Sequence, residues 1–498
     1  MPSPLRIITL GLVLGAGLCA AQDKKPEKET TKVPDPVTRN ASVTIDGEEI
    51  DYKVTAAKLV LKKDNGDPRA SVFHVSYERT GVKKLKDRPV VFAFNGGPGS
   101  SAVWLHLGAL GPRLVPTSED GTKPLAPPHR VTPNPHSILD VADLVFIDPV
   151  STGYSRPEKD AKASEFHGVQ GDIESVGDFI RRWVTEHGRW GSPKFLLGES
   201  YGGIRAAGLA DYLQSRYGMN LNGVVLLSSL LDFRTLRSAQ GDDLMFSVYL
   251  PAYTAVAHHH NRIRGDRDQL VKQSRNFAFG EYASALLSGA TLDDKTRQRL
   301  AKRLSEFTGI SPSIFLETDL RLSSSRFRKE LLRRDGLVLG RFDARVAWPA
   351  GSKSSDTARY DPSFSVVYGA FSTAMLDYLT NDLGWKEDSP YEILSGKVRP
   401  WDWGAENSYV NLTGRLVSAM RENPELEILV LCGYTDLATP PDGIEYSLRH
   451  VFTLPDDRRD AIRIRYYDSG HMFYLNQPDL AKLRADLVEF IAPATGEE

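Results

Sequence analysis

Apolar and polar positions change rhythm along this chain, and each rhythm predicts a different element. Residues 22–40 are polar and rich in Lys, Glu, Thr and Pro, the composition of a solvated linker. Over residues 41–80 apolar and β-branched residues alternate with polar ones, with turn signals at Asp46-Gly47 and Asn65-Gly66. A period of two with such turns predicts antiparallel strands joined by hairpins. Short, mainly apolar runs follow, at residues 89–94, 143–148, 194–197, 223–227, 426–431 and 462–466. Runs of that kind suit strands covered on both faces. Helical stretches at 171–186 and 201–217 lie between some of them, which predicts an α/β domain with a mostly parallel central sheet. The series breaks over residues 233–400, where the pattern is mainly helical and rich in Arg. The expected plan is therefore one domain in two parts, 41–232 and 401–498, with 233–400 inserted as a cap over the C-terminal edge of the sheet.

Composition narrows the class. A length of 498 residues is consistent with about three domains, or with one large domain carrying an insertion. With 41% hydrophobic and 25% charged residues, the chain has enough apolar content to exclude a wholly disordered protein. Only one long apolar run exists, at residues 7–21, which excludes a polytopic membrane protein. That run follows Arg6, ends in small residues and is short for a membrane span, so residues 1–21 read as a signal peptide cleaved after Ala21. The two cysteines are Cys19 and Cys432. Loss of the leader leaves Cys432 alone, with neither an intramolecular disulfide nor a Cys-based zinc site. Export without disulfides points to a periplasmic or bacterial secreted protein, with no stable membrane association after cleavage. The net charge of −2 gives no field that would gather nucleic acid. Nothing in the pattern reports oligomeric state.

The strongest chemical motif is Gly198-Glu199-Ser200-Tyr201-Gly202. It matches G-x-S-x-G, follows an expected strand and opens a small-residue helix, the setting in which a tight turn lifts a serine hydroxyl above a sheet. A serine nucleophile needs a base and a carboxylate to orient it, in the chain order Ser, Asp, His for this fold. Asp436 and His471 each stand just past an expected strand, where loops gather at the active edge of an α/β sheet. Asp442 and Asp468 are the competing acids. Backbone N–H groups of Tyr201 and of the glycine-rich loop Asn95-Gly-Gly-Pro-Gly99 suit an oxyanion hole. A phosphate loop is the rival reading of those glycines, but its Lys-Ser/Thr ending is missing.

These segments, together with Leu110-Gly-Pro112, Asp143-Leu-Val-Phe-Ile-Asp-Pro149, Gly153-Tyr-Ser155 and Gly470-His-Met472, resemble the serine carboxypeptidases in order and spacing. The resemblance, to a bacterial-type member, implies an α/β-hydrolase fold with an inserted cap. It implies hydrolysis of C-terminal peptide bonds of peptides or proteins through an acyl-enzyme on Ser200, without metal or other cofactor. It implies that Gly97 and Tyr201 supply the oxyanion N–H groups. Asn95 and Glu199 match family residues that read the substrate carboxylate, Glu199 in its protonated form in mild acid. Three positions depart from the pattern. Ala93 stands for a family Trp, Ala109 for a second Glu and Ser100 for a Cys. The first two weaken the carboxylate clamp and keep an esterase or acyltransferase of the same fold as the alternative, unless cap arginines replace the lost contacts.

Other features carry less. His258-His-His260 lies in the expected cap with no acidic or Cys partner pattern, so a solvated surface is expected rather than a metal site. Trp401-Asp-Trp403 reads as core or pocket wall. Asn40-Ala-Ser42 and Asn411-Leu-Thr413 are glycosylation sequons, which mean little in a bacterial protein.

Overall fold

The hairpins form where the turn signals stand. Asp46 and Gly47 take φ of 49° and 86°, linking β1 (Val37–Ile45) to β2 (Glu48–Lys62). Gly66, at φ 87°, turns β2 into β3 (Pro68–Arg79). Both ladders are antiparallel. In this computed structural model residues 33–352 and 354–495 are described. The expected signal peptide, Cys19 and most of the expected linker lie outside the described residues. β1 begins at Val37, inside the stretch expected as linker, because Val37 to Asn40 already pair with β2.

The mainly apolar runs become parallel strands: β4 (Val90–Phe94), β5 (Asp143–Ile147), β6 (Lys194–Glu199), β7 (Gly223–Leu227), β8 (Glu427–Gly433) and β9 (Ile462–Tyr467). The sheet order is β1-β2-β3-β5-β4-β6-β7-β8-β9, and a two-residue strand at Arg156–Pro157 on β3 makes ten. β3 pairs antiparallel with β5, while every pairing from β5 to β9 is parallel. The β-rich start is thus the antiparallel wing of the main sheet. β4 to β7 are buried at every position, and their residues alternate between two cores. Val91 and Ala93 face one, with Leu105, Phe371 and Leu487; Val90, Phe92 and Phe94 face the other. The second core includes Phe179 and Trp183 of α1 (Val169–Glu186) and Ile204 and Leu209 of α2 (Gly202–Tyr217). Helices on both faces of a mostly parallel sheet make this an α/β-hydrolase fold.

Residues 233–400 divide between two packing units. Helices Leu244–His259 and Asp294–Thr308 and the chain to Leu339 enclose their own core of Val256, Leu300, Phe307 and Phe327, which also takes Leu437 from the loop after β8. The helix Pro362–Asp377 instead joins the first sheet core, where Phe371 meets Trp104 at a ring separation of 5.2 Å. No helix among the described residues is long and apolar enough to cross a membrane.

A buried ion cluster pins the opposite end of the strands. Asp143, fully buried at the start of β5, accepts from Arg88 Nε at 2.7 Å and from Arg189 Nη1 at 2.5 Å. It also takes the backbone N–H of Arg79 at 3.0 Å. Removing the carboxylate strands two guanidinium groups in a dry interior. Asp143→Ala is expected to lower unfolding stability by about 3–5 kcal/mol, measured by urea denaturation. An unchanged midpoint would contradict this.

Candidate active site

The turn after β6 is too tight for side chains at its flanks. A Cβ at Gly198 would come within 2.2 Å of the Gly202 carbonyl oxygen. Ser200 takes φ 62°, a left-handed conformation that residues with a Cβ rarely adopt. Its amide donates to the Leu227 carbonyl at 3.1 Å, which fixes the turn to β7. The result is a half-buried serine at the C-terminal end of a central strand.

Asp436 follows β8 and His471 follows β9, so both reach the same sheet edge as Ser200. His471 Nδ1 lies 2.8 Å from Asp436 Oδ2. The Asp436 carboxylate is held by the N–H groups of Ala438 and Thr439, at 2.7 and 3.0 Å, and by the Thr439 hydroxyl at 2.8 Å. Nδ1 thus serves Asp436, and Nε2 is the ring nitrogen left for another partner. Among the described residues neither Nε2 nor the Ser200 hydroxyl has a hydrogen-bond partner. Burial works against a charged His471, but the adjacent Asp436 carboxylate outweighs it and holds the imidazole above its ordinary pKa. The competing acids are engaged elsewhere: Asp442 with Arg275 at 2.5 Å and Asp468 with Arg267 at 2.6 Å.

Residues 341–344 of the inserted segment interleave with both loops. The Phe342 carbonyl accepts from the His471 amide at 2.5 Å, and its ring lies 5.2 Å from the imidazole. The Arg341 carbonyl accepts from the Leu437 amide, and the Ala344 amide donates to Thr435. The Arg341 guanidinium rests over Phe342, 4.6 Å from the ring centre, with no carboxylate in ion-pair distance among the described residues. It is a cap arginine at the site, though sequence alone did not single it out.

The glycine loop lies directly on the turn. A Cβ at Gly96 would sit 2.4 Å from the Tyr201 amide nitrogen. Gly97 is exposed, and among the described residues neither its N–H nor that of Tyr201 has a hydrogen-bond partner. The Tyr201 ring is walled by Trp401 and Trp403, at 5.5 and 6.3 Å. Arg205 of α2, buried and paired with Asp172 at 2.9 Å, donates to the Asn95 carbonyl at 2.6 Å. That contact ties the loop to the helix behind the serine, and no motif marks it in the sequence.

Glu199, buried at the end of β6, meets a polar cluster at the edge of the first sheet core. Its Oε2 accepts from Asn95 Nδ2 at 2.8 Å and from the Tyr474 hydroxyl at 2.9 Å. Asn95 Oδ1 accepts from the Leu105 amide at 3.2 Å, which sets the amide orientation. Burial pushes the Glu199 carboxyl from 4.5 up to about 7, against the opposing pull of nearby His471 and of the Tyr474 and Asn95 donors. The structure therefore brings Asn95 and Glu199 together and adds Tyr474, which sequence reasoning missed. Ala93 and Ala109 are both buried in the first sheet core. Next to Ala109, a Cβ at Gly108 would meet the Tyr474 ring at 2.8 Å, so small residues there make room for it. Ser100 accepts from Trp104 Nε1 at 3.0 Å, and Cys432 is buried and free on β8.

His258 and His260 bond to the carbonyls of Gly265 and Ala344, at 3.0 and 2.7 Å. Among the described residues no group of three or more His, Cys, Asp or Glu is arranged to hold a metal ion.

Comparison with known proteins adds lineage to this geometry. A family profile described as serine carboxypeptidase matches residues 63–451, a span that contains Ser200 and Asp436 and ends before His471. The chain is 27% identical over 225 residues to serine carboxypeptidase-like 36 of Arabidopsis thaliana, covering 43% of this chain and 42% of that one. It is 29% identical over 150 residues to the lysosomal protective protein of Mus musculus, covering 30% and 29%. The alignments span less than half the length of these curated relatives. Among solved structures, Kex1(delta)p, a prohormone-processing carboxypeptidase from Saccharomyces cerevisiae, superposes with a TM-score of 0.55 at 15% identity. That superposition covers 88% of this chain and 91% of the other and speaks to the fold.

The raised carboxyl has a consequence for stability. A group at 4.5 when unfolded and about 7 when folded binds its proton more tightly in the native state, so its contribution is lost as pH rises through 7. Glu199→Gln removes that dependence. The variant is expected to gain on the wild type between pH 4 and pH 8, by on the order of 3 kcal/mol in urea denaturation. A stability difference independent of pH would contradict it.

Proposed function

The chain belongs to the serine carboxypeptidase family, and from that premise we propose that it hydrolyses the C-terminal peptide bond of peptides or proteins through an acyl-enzyme on Ser200. The observation that carries the reading is the His471–Asp436 hydrogen bond, standing at the same strand ends as a serine in a left-handed turn. In this mechanism the Ser200 oxygen attacks the scissile carbonyl carbon and its proton passes to His471 Nε2. Asp436 stabilises the resulting imidazolium. The negative charge that develops on the carbonyl oxygen falls to the unpartnered N–H groups of Gly97 and Tyr201. His471 then returns the proton to the leaving amine, the C–N bond breaks, and the departing residue leaves an ester on Ser200. Water, deprotonated by the same imidazole, hydrolyses that ester.

Asn95 and protonated Glu199 are read as the groups that receive the substrate carboxylate. A buried carboxyl near 7 stays neutral in mild acid and donates a hydrogen bond to an anion. The substrate is therefore a free C-terminus, with no nucleic acid and no metal or organic cofactor in the scheme. Export to a periplasmic or secreted location rests on the leader at residues 1–21. A second reading, an esterase or acyltransferase with less need of the carboxylate, is favoured by Ala93 and Ala109.

Ser200→Ala is expected to lower kcat/KM by several orders of magnitude with thermal unfolding unchanged, measured on a free-carboxylate peptide. Unaltered turnover would refute the nucleophile. The wild type is expected to cleave that peptide far faster than its C-terminally amidated form, read by mass spectrometry. Equal rates would favour the second reading.

A further inference from the structure

Glu199 has two oxygens, and the fold treats them differently. Oε2 lies within hydrogen-bond distance of two groups, the Asn95 amide nitrogen and the Tyr474 hydroxyl. Both are donors toward it. The Asn95 amide is held nitrogen-first by the Leu105 amide on its own oxygen. The phenol of Tyr474 is buried beside a carboxyl, which keeps it protonated and gives it one hydrogen to offer. Oε1 has no hydrogen-bond partner among the described residues. An oxygen that already accepts from two donors is a poor place for a carboxyl proton.

We infer that Tyr474 is a positioning residue which, together with Asn95, fills Oε2 of Glu199 and so places the carboxyl proton on Oε1, facing the substrate carboxylate. The inference rests on the carboxypeptidase reading above. The donor comes from the segment after His471, and the space for its ring comes from Gly108, where a Cβ would meet the ring at 2.8 Å.

The other groups around Glu199 are few. His471 lies on the loop after β9, Asp436 on the loop after β8, and Asn95 on the loop after β4, with Arg205 bound to the Asn95 carbonyl behind it. Among the described residues no Lys or Arg pairs directly with Glu199. A donor to a carboxylate favours the ionised form, so losing Tyr474 raises the pH at which Glu199 ionises.

The test is the pH profile of kcat/KM on a peptide with a free C-terminal carboxylate, for wild type, Tyr474→Phe, Glu199→Gln and the double variant. Tyr474→Phe is expected to move the alkaline limb upward by about one pH unit. Glu199→Gln is expected to abolish that alkaline limb, and Tyr474→Phe is expected to shift nothing further on that background. A uniform fall in kcat/KM with the limb unmoved would mean a merely structural tyrosine and would overturn the inference. A wild type that cleaves free and amidated peptides equally overturns the carboxypeptidase reading and the inference with it. A wild type that demands the free carboxylate, with a limb indifferent to Tyr474→Phe, overturns the inference alone.

Discussion

The site depends on one steric constraint, the approach of two backbones with nothing between them. The turn from β6 into α2 and the loop after β4 touch at Gly96, where a single added carbon would collide with the Tyr201 amide. That contact lays the glycine loop against the turn that carries Ser200 in its left-handed conformation, with Asn95 against Glu199. The strain at Ser200 persists because the surroundings over-determine it: a sheet hydrogen bond before it, a helix behind it and a loop above it.

The buried acids illustrate how environment assigns roles to one functional group. Asp143 sits at the far end of the strands between two arginines and acts as a structural anion. Asp436 receives backbone amides, a hydroxyl and an imidazole. Glu199 has only neutral donors, and burial therefore raises it to about 7.

Much of this was legible beforehand. Six mainly apolar runs became six parallel strands; β4 to β7 are buried throughout because both faces of the sheet are covered, while edge strand β9 carries Arg463 and Arg465 at part-exposed positions. The placement of Ser200, Asp436 and His471 at one sheet edge was readable because strand ends fix where loops gather. Arg205 and Tyr474 were not. One is an arginine in a small-residue helix and the other an aromatic in a turn, and their partners are 110 and 275 positions away in sequence. Local pattern carries no trace of contacts at that range. The inserted segment was legible as a break in the strand series. Its division between two cores was not, because the helix Pro362–Asp377 is apolar enough to serve either.

Residues 341–344 give the insertion a further significance. The carbonyl of Phe342 holds the backbone of His471, and that of Arg341 holds the residue after Asp436. Displacing this stretch would therefore break the bonds that hold the loops after both β8 and β9. Residues 341–344 are thus as much part of the sheet's C-terminal edge as the loops they hold, and replacing them would loosen two loops at once.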